Sequence, residues 1–353
     1  MKDNRLPTMG DVARLAGVSP ATVARVLYEP EKVALARRQK VQAAIEATGY
    51  RPNVVARGLR TSRTWKIGLI IVDGRLNPYF VNLSQAIRLA AMAEGYTALT
   101  FQYGSANEPV ADAVQQLILN RVDAVIFSYA LRPEDIAPLT AANIPVVQVE
   151  QEAIAGTDAV MCDPAPGIRA AIAHLTALGH QRIAFMGGDP AAYARPRVHG
   201  TTMEEERLAA FRSAVRDLGA DSDPSLEVLG RYFTLSGLDP SKEGRAMMQR
   251  ILDMDQPPTA ILASSDMLAA GILQVLNAAG KSVPGDFSVI GYDDSISSLL
   301  APPVTSIGRP LQQIAKTTLD LAIAAITDAD HRPMRRVFDT SLTVRASTAA
   351  PKS

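Results

Sequence analysis

The first apolar positions of the chain recur at helical spacing. Val12, Leu15 and Ala16 form one stripe, and Val23, Val26 and Leu27 form a second. Between them Gly17 stands where a helix must end, because glycine enters the left-handed region without steric cost. Val18 can plug the corner. Ser19 is a good N-cap, and Pro20 suits the first helical position, where its missing N–H costs nothing. The pattern predicts two short helices joined by a tight turn, a helix-turn-helix whose second helix leaves Pro20, Ala21, Thr22 and Arg25 on its outer face. Such a face is built to enter a DNA groove. A third amphipathic helix is predicted over 35–48, with Val41, Ala44 and Ile45 inward and Gly49 as its stop. Residues 50–52 read as an extended connector, since the residue before a proline avoids the helical region. Asn53 can cap a short helix over 54–60, and the polar stretch 61–66 reads as a joint.

From residue 67 the period changes. Strands are predicted at 67–72, 96–103, 123–128 and 144–149, alternating with helices at 78–94, 109–120 and 135–142. The alternation then repeats, with helices at 166–178, 204–218, 242–252 and 266–279 and strands at 182–186, 226–233, 260–263 and 287–292. A last helix over 310–327 and a last strand over 336–344 could cross back, one to each half. Strands alternating with helices imply parallel sheets covered on both faces. The expected fold is a small all-α helix-turn-helix head on an α/β body of two doubly wound parallel-sheet subdomains. Their ligands would bind in a cleft beyond the carboxyl ends of the strands. The expected divisions are 1–52 for the head and 53–66 for a hinge helix and linker. Residues 67–163 with 294–328 form the first subdomain, and 164–293 with 329–353 the second.

Charge sharpens the division. The 353 residues balance 36 Lys+Arg against 36 Asp+Glu, yet residues 1–63 carry 12 basic against 5 acidic side chains and the remainder 24 against 31. A basic head on an acidic body is the pattern of a polyanion-binding module joined to something with another task, although a solvated basic face would look the same. No run of about 18 apolar residues implies a transmembrane helix. The start, 1–7, has no apolar stretch of a secretory signal. The single cysteine, Cys162, has no partner for a disulfide and no set for zinc. A reducing cytoplasm, no membrane, no metal and no cofactor are expected.

The motifs resemble the lactose/galactose repressor (LacI/GalR) family of transcription regulators from Met9 to about Ala349. The resemblance rests on Asp11-Val12-Ala13-Arg14-Leu15-Ala16-Gly17-Val18-Ser19-Pro20-Ala21-Thr22-Val23, Gly49-Tyr50-Arg51-Pro52-Asn53 and Ile67-Gly68-Leu69-Ile70. It continues in Leu178-Gly179-His180, Arg182-Ile183-Ala184-Phe185, Val283-Pro284, Ser288-Val289-Ile290-Gly291-Tyr292-Asp293-Asp294 and Pro302-Pro303-Val304-Thr305. It implies a body like the periplasmic binding proteins and a second helix in the major groove. There Arg25 is the candidate for a guanine edge, with a phosphate contact as the alternative. Pro20 and Ala21 would supply apolar contact, Ser19 and Thr22 would touch phosphate, and Thr8 is counted with the DNA-contacting set. Ala24 departs from the family's usual serine. The resemblance makes 53–60 a hinge helix that forms only when paired on DNA. In it Leu59 is a wedge between base pairs, Ala56 permits close approach, and Arg57 and Arg60 meet phosphates, with Asn53 at its start. Without the resemblance, Leu59 reads as an ordinary packing leucine.

In the cleft, the resemblance points to Arg207 as the donor to effector oxygens and to Asp293 as the acceptor from effector hydroxyls or amines. Asp73, Asn77, Tyr79 and Phe80 follow the first strand, where rings could stack on a sugar or base. Asp163 and Phe233 are further candidates, and Ser265 stands where many relatives have asparagine. Phe80 and Phe233 could instead be core aromatics, and Asp293 a helix cap. Asp266 reads as the cap of its helix. The long segment 189–205 is a lid over the cleft or a surface loop. The reading is a DNA-binding repressor, a homodimer on a near-palindromic operator in double-stranded DNA, controlled by a small molecule. A sugar or derivative is the first choice of effector and a purine or nucleoside the second. With no leucine heptads at the end of the chain, a dimer rather than a tetramer is expected. The alternatives are a transport-type sugar-binding protein, which has no use for the basic head, and a sugar-active enzyme. For the enzyme, no Gly-rich phosphate loop, His/Cys cluster or nucleophile elbow is found, and no residue is assigned as catalytic.

Overall fold

A computed structural model describes residues 7–51, 63–72, 77–103, 110–128, 133–150, 154–192, 202–231 and 239–352. The chain divides into two compact units, Met1–Thr64 and Trp65–Ser353.

In the first unit, helices α1 (Met9–Ala16), α2 (Pro20–Tyr28) and α3 (Leu35–Thr48) pack on a small core of Val12, Ala13, Val23, Val26, Val33, Val41, Ala44 and Tyr50. Each turn follows from local chemistry. Thr8 and Asp11 form a reciprocal capping box on α1, and Gly17 ends that helix at φ +66°. Ser19 caps α2 by accepting from the Thr22 N–H at 3.2 Å. Val18 packs at the corner, as expected. Leu15 does not join the core. It is 59% exposed, and Ala13 is buried on the inward face beside Val12.

The second unit holds two six-stranded sheets. Strands β1 (Lys66–Val72), β2 (Thr97–Tyr103), β3 (Ala124–Ser128), β4 (Val146–Val149), β5 (Asp158–Asp163) and β11 (Arg335–Asp339) form the first, in the order β11-β5-β4-β3-β1-β2, all parallel. Strands β6 (Ile183–Gly188), β7 (Glu227–Gly230), β8 (Ala260–Ala263), β9 (Ser288–Asp293), β10 (Thr305–Gly308) and β12 (Ser341–Thr343) form the second. Its order is β12-β10-β9-β8-β6-β7, parallel except for β12. Helices α4 (Pro78–Ala93), α5 (Ala111–Leu119), α6 (Pro133–Ala141) and α11 (Leu311–Thr327) cover the first sheet. Helices α7 (Ala165–Ala177), α8 (Met203–Asp217), α9 (Pro240–Leu252) and α10 (Asp266–Ala278) cover the second. Each sheet is sandwiched between two apolar clusters, so central strands such as β3 and β8 are buried at every position.

The chain passes between the sheets three times: after β5, after β10, and between β11 and β12 with only Thr340 intervening. Thr340 binds the third crossing to the first, donating to the Asp163 carbonyl at 2.9 Å and accepting from the Gly167 N–H at 3.0 Å. These crossings differ from the expected divisions. Within 294–328, β10 joins the second sheet rather than the first. Within 329–353, β11 joins the first sheet, and the single strand expected over 336–344 is two strands in different sheets. Strands β5 and β10 were not expected from the sequence pattern.

Candidate functional site

On the head, Thr8, Ser19, Pro20, Ala21 and Arg25 are exposed and Thr22 is half-buried. Ala24, by contrast, is buried on the core side of α2. The cap leaves the Ser19 hydroxyl engaged locally, 3.0 Å from that of Thr22. The outer face of α2 therefore presents two apolar residues, a paired set of hydroxyls and one guanidinium. Asn53, Ala56, Arg57, Leu59 and Arg60 lie outside the described residues.

In the body, functional side chains gather where the carboxyl ends of the two sheets meet. Glu150 follows directly on β4 and Asp293 ends β9, each in the left-handed region, at φ +56° and +97°. Non-glycine residues rarely occupy that region, and they concentrate where a site needs a side chain aimed against the run of its strand. Between the two carboxylates lies Arg309, one residue past β10. Its Nη1 donates to Glu150 Oε2 at 2.9 Å and its Nη2 donates to Asp293 Oδ1. The guanidinium carbon stacks 3.9 Å from the centre of the Tyr79 ring and 5.4 Å from that of Tyr292. Burial works against the Arg309 charge, but Asp293 and Glu150 outweigh it and hold its pKa well above the ordinary value. Burial, reinforced by the Glu150 charge, pushes the Tyr79 phenol well up, so it remains a neutral donor, 3.4 Å from Glu150 Oε1.

Arg207 of α8 stands on the second wall. Its Nη1 donates to Glu204 Oε1 at 3.1 Å and to the Ser264 carbonyl at 3.0 Å, and its Nη2 lies 3.9 Å from Asp293 Oδ1. Glu204 also accepts from the Gly188 N–H at 3.0 Å. A Cβ on Gly188 would come within 2.8 Å of Glu204, so only glycine lets the backbone approach this closely. Asn77, the N-cap of α4, closes the arrangement by donating to Asp293 Oδ2 at 2.6 Å. Beside the cluster, a cavity of about 260 Å³ is lined by residues that include Tyr79, Asn82, Asp293, Asp294, Arg309, Asp339, Ser341 and Thr343.

Of the expected cleft residues, Asn77, Tyr79, Arg207 and Asp293 come together. Phe80 lies against Tyr79 edge to face, at 5.4 Å, within the first core. Ser265 caps α10 through the Leu268 N–H at 3.2 Å. Asp266 is therefore not that cap. It holds the loop after β9, accepting from Ser295 N–H at 2.6 Å, Ile296 N–H at 3.1 Å and Ser306 Oγ at 2.8 Å. Asp163 accepts from the Ala165 N–H at 2.9 Å, at the first crossing. Asp73, Phe233 and most of 189–205 lie outside the described residues. Burial pushes the Cys162 thiol up, which leaves it unreactive. Sequence reasoning missed Glu150, Arg309 and Glu204. Glu150 carried a usable signal, since it follows directly on a predicted strand. Among the described residues, no group of three or more His, Cys, Asp or Glu side chains could hold a metal, and no helix is long and apolar enough to cross a membrane.

The comparisons agree with this architecture from both ends of the chain. Residues 8–53 match the bacterial regulatory proteins of the lacI family, and residues 172–348 match the periplasmic binding protein-like domain. The transcriptional regulator CelR of Thermobifida fusca is 31% identical over 362 residues, covering 98% of this chain and 100% of that protein. A complex of CelR with cellobiose superposes with a TM-score of 0.68 at 28% identity, covering 97% of this chain and 99% of the other. A Lac repressor dimer bound to operator and an anti-inducer does so at 0.74 and 27%, covering 98% and 100%. With its helix-turn-helix head and two-sheet body, the chain belongs to the lacI family of bacterial regulatory proteins, DNA-binding regulators rather than enzymes.

Proposed function

We propose that the chain is a cytoplasmic repressor that binds a near-palindromic operator as a homodimer and answers to a small-molecule effector, sugar-like by first choice, in the body's cleft. The observation that carries this reading is the Arg309 guanidinium, which joins a carboxylate of the first sheet to one of the second. A ligand that enters between those groups changes how the two sheets are held, and the sheets are linked only by the three crossings and the contacts between them. The change reaches DNA through residues 53–60, a segment too short to be stably helical alone. Leu59 serves as the wedge, Arg57 and Arg60 serve as phosphate contacts, and Arg25 reads a base edge in the major groove. The CelR–cellobiose complex and the operator-bound Lac repressor dimer support the two halves of the reading. Coupling between the sites is reciprocal and of the order of 1–3 kcal/mol.

The test is selection of bound duplexes from a random library with purified protein at near-physiological salt. The expected result is a two-fold symmetric consensus with a deformable centre. Enrichment of an asymmetric site, or none with or without sugars and purines present, removes the reading.

A further inference from the structure

We infer that the body's cleft takes a ligand bearing a protonated amine, and that the Arg309 guanidinium occupies the position this amine would take. The inference rests on the effector-controlled reading above and specifies the ligand's charge.

Arg309 shows what its surroundings accept. Two carboxylates, Glu150 and Asp293, and two tyrosine rings, Tyr79 and Tyr292, enclose one guanidinium, and the Arg309 side chain is 1% exposed. Carboxylates and ring faces together select cations. The same cluster carries more acid than base. Glu150, Glu204 and Asp293 face Arg207 and Arg309, and a fourth carboxyl, Asp266, lies close enough to Asp293 that burial and then the Asp293 charge push it up to about 6.

An amine reaches the guanidinium's position by displacing Arg309, and that route favours a cation. A ligand that displaces Arg309 leaves Glu150 buried without its counter-charge and Asp293 with only the Arg207 guanidinium, 3.9 Å away. A neutral molecule cannot offset that cost, whereas an ammonium can. The rest of such a ligand would occupy the adjoining cavity, whose lining includes Asp293, Asp294 and Asp339, with Arg345 paired to Asp294 at 2.7 Å. Apart from Arg309 itself, Gly308, Pro310 and Leu311, the rest of the lining is neutral and hydrogen-bonding. Asn82, Ser341 and Thr343 border the cavity. An amine on a polyhydroxylated skeleton, an amino sugar, matches both kinds of group.

The experiment compares matched pairs on the full chain by calorimetry and thermal unfolding: glucosamine with glucose, galactosamine with galactose, and mannosamine with mannose. The expected result is that in at least one pair the amine binds tighter than its hydroxyl twin by about tenfold or more, the ratio that 1.4 kcal/mol sets. E150Q keeps the side chain's shape and removes its charge, and it is expected to erase most of that advantage. Equal or tighter binding of the neutral twins overturns the inference while leaving effector control intact. An amine preference untouched by E150Q overturns it as well, because the cage would not be its seat. Failure of every sugar also overturns it, and the operator selection then judges the regulator reading separately. The wild-type comparison decides the ligand class even if E150Q does not fold.

Discussion

Asp293 shows how much one side chain can carry when its backbone is held off the common path. At φ +97° it turns its carboxylate to Asn77, the N-cap of α4, and to Arg309 at the crossing. Its charge is also felt by Asp266. Burial first, and Asp293 second, raise the Asp266 carboxyl from 3.8 to about 6, while the hydrogen bonds from Ser306, Ile296 and Ser295 pull the other way. A carboxyl raised on folding favours the protonated state. Its stabilising contribution is therefore complete below the unfolded pKa, near 4, and is lost as pH rises through about 6. A shift of about 2 units corresponds to roughly 3 kcal/mol. Asp266→Asn cannot ionise, so the wild type should lose stability relative to this variant between pH 4 and 7, by up to about 3 kcal/mol in urea unfolding. A difference that stays flat across that range would show that Asp266 does not titrate there.

At the scale of elements, the sequence pattern reaches as far as its periods do. The head is legible because capping chemistry and spacing agree at Thr8, Gly17, Ser19 and Pro20. The central strands are legible because they are apolar throughout. The pattern misses β5, which begins and ends in aspartate, and β10, Thr-Ser-Ile-Gly, whose hydroxyls are satisfied only by distant residues. The Ser306 Oγ donates to Asp266, and the Thr305 Oγ1 accepts from the Arg345 N–H at 2.9 Å. No local period reports such partners. Arg309 follows directly on the missed β10, so it was missed with it. Glu150 was in reach, yet a lone glutamate after a strand says nothing of the arginine that meets it 159 residues later. The hinge segment tests the same principle from the sequence side. If Leu59 is a wedge, Leu59→Gly lowers operator affinity by about a hundredfold, since the wedge offsets an unstacking cost of a few kcal/mol per base step. Glycine also weakens a helix by about 1 kcal/mol, so Leu59→Ala separates the two effects. Fluorescence anisotropy with a selected operator should show a large loss for both variants and unchanged effector binding. Wild-type affinity in the alanine variant would reduce Leu59 to a packing residue.

At the scale of the whole molecule, charge divides the labour. The first 63 residues carry an excess of seven basic side chains and the rest an equal excess of acidic ones. Phosphate attracts the first and repels the second, so charge favours DNA contact through those 63 residues, and affinity should fall steeply with salt. One short recognition helix reads only a few base pairs. The proposed symmetric operator asks for two heads at fixed spacing, and the body is the expected source of the two-fold contact. Helix α4 offers an apolar stripe for it. Val81, Leu89 and Met92 lie on its outer side, 44%, 51% and 56% exposed, while Leu83, Ala86 and Ile87 fill the core behind them. Burial of such residues against a second copy gains roughly 25 cal/mol for each Å² of apolar surface removed from water. Acidic side chains placed there would have to be desolvated instead. The double variant Leu89→Glu, Met92→Glu should therefore sediment as a monomer at micromolar concentration where the wild type sediments as a dimer. Its operator affinity should fall by at least about a hundredfold, with each single head still footprinting a half-site at high protein concentration. A variant that remains dimeric with full operator affinity would show that the two-fold contact lies on another face of the body.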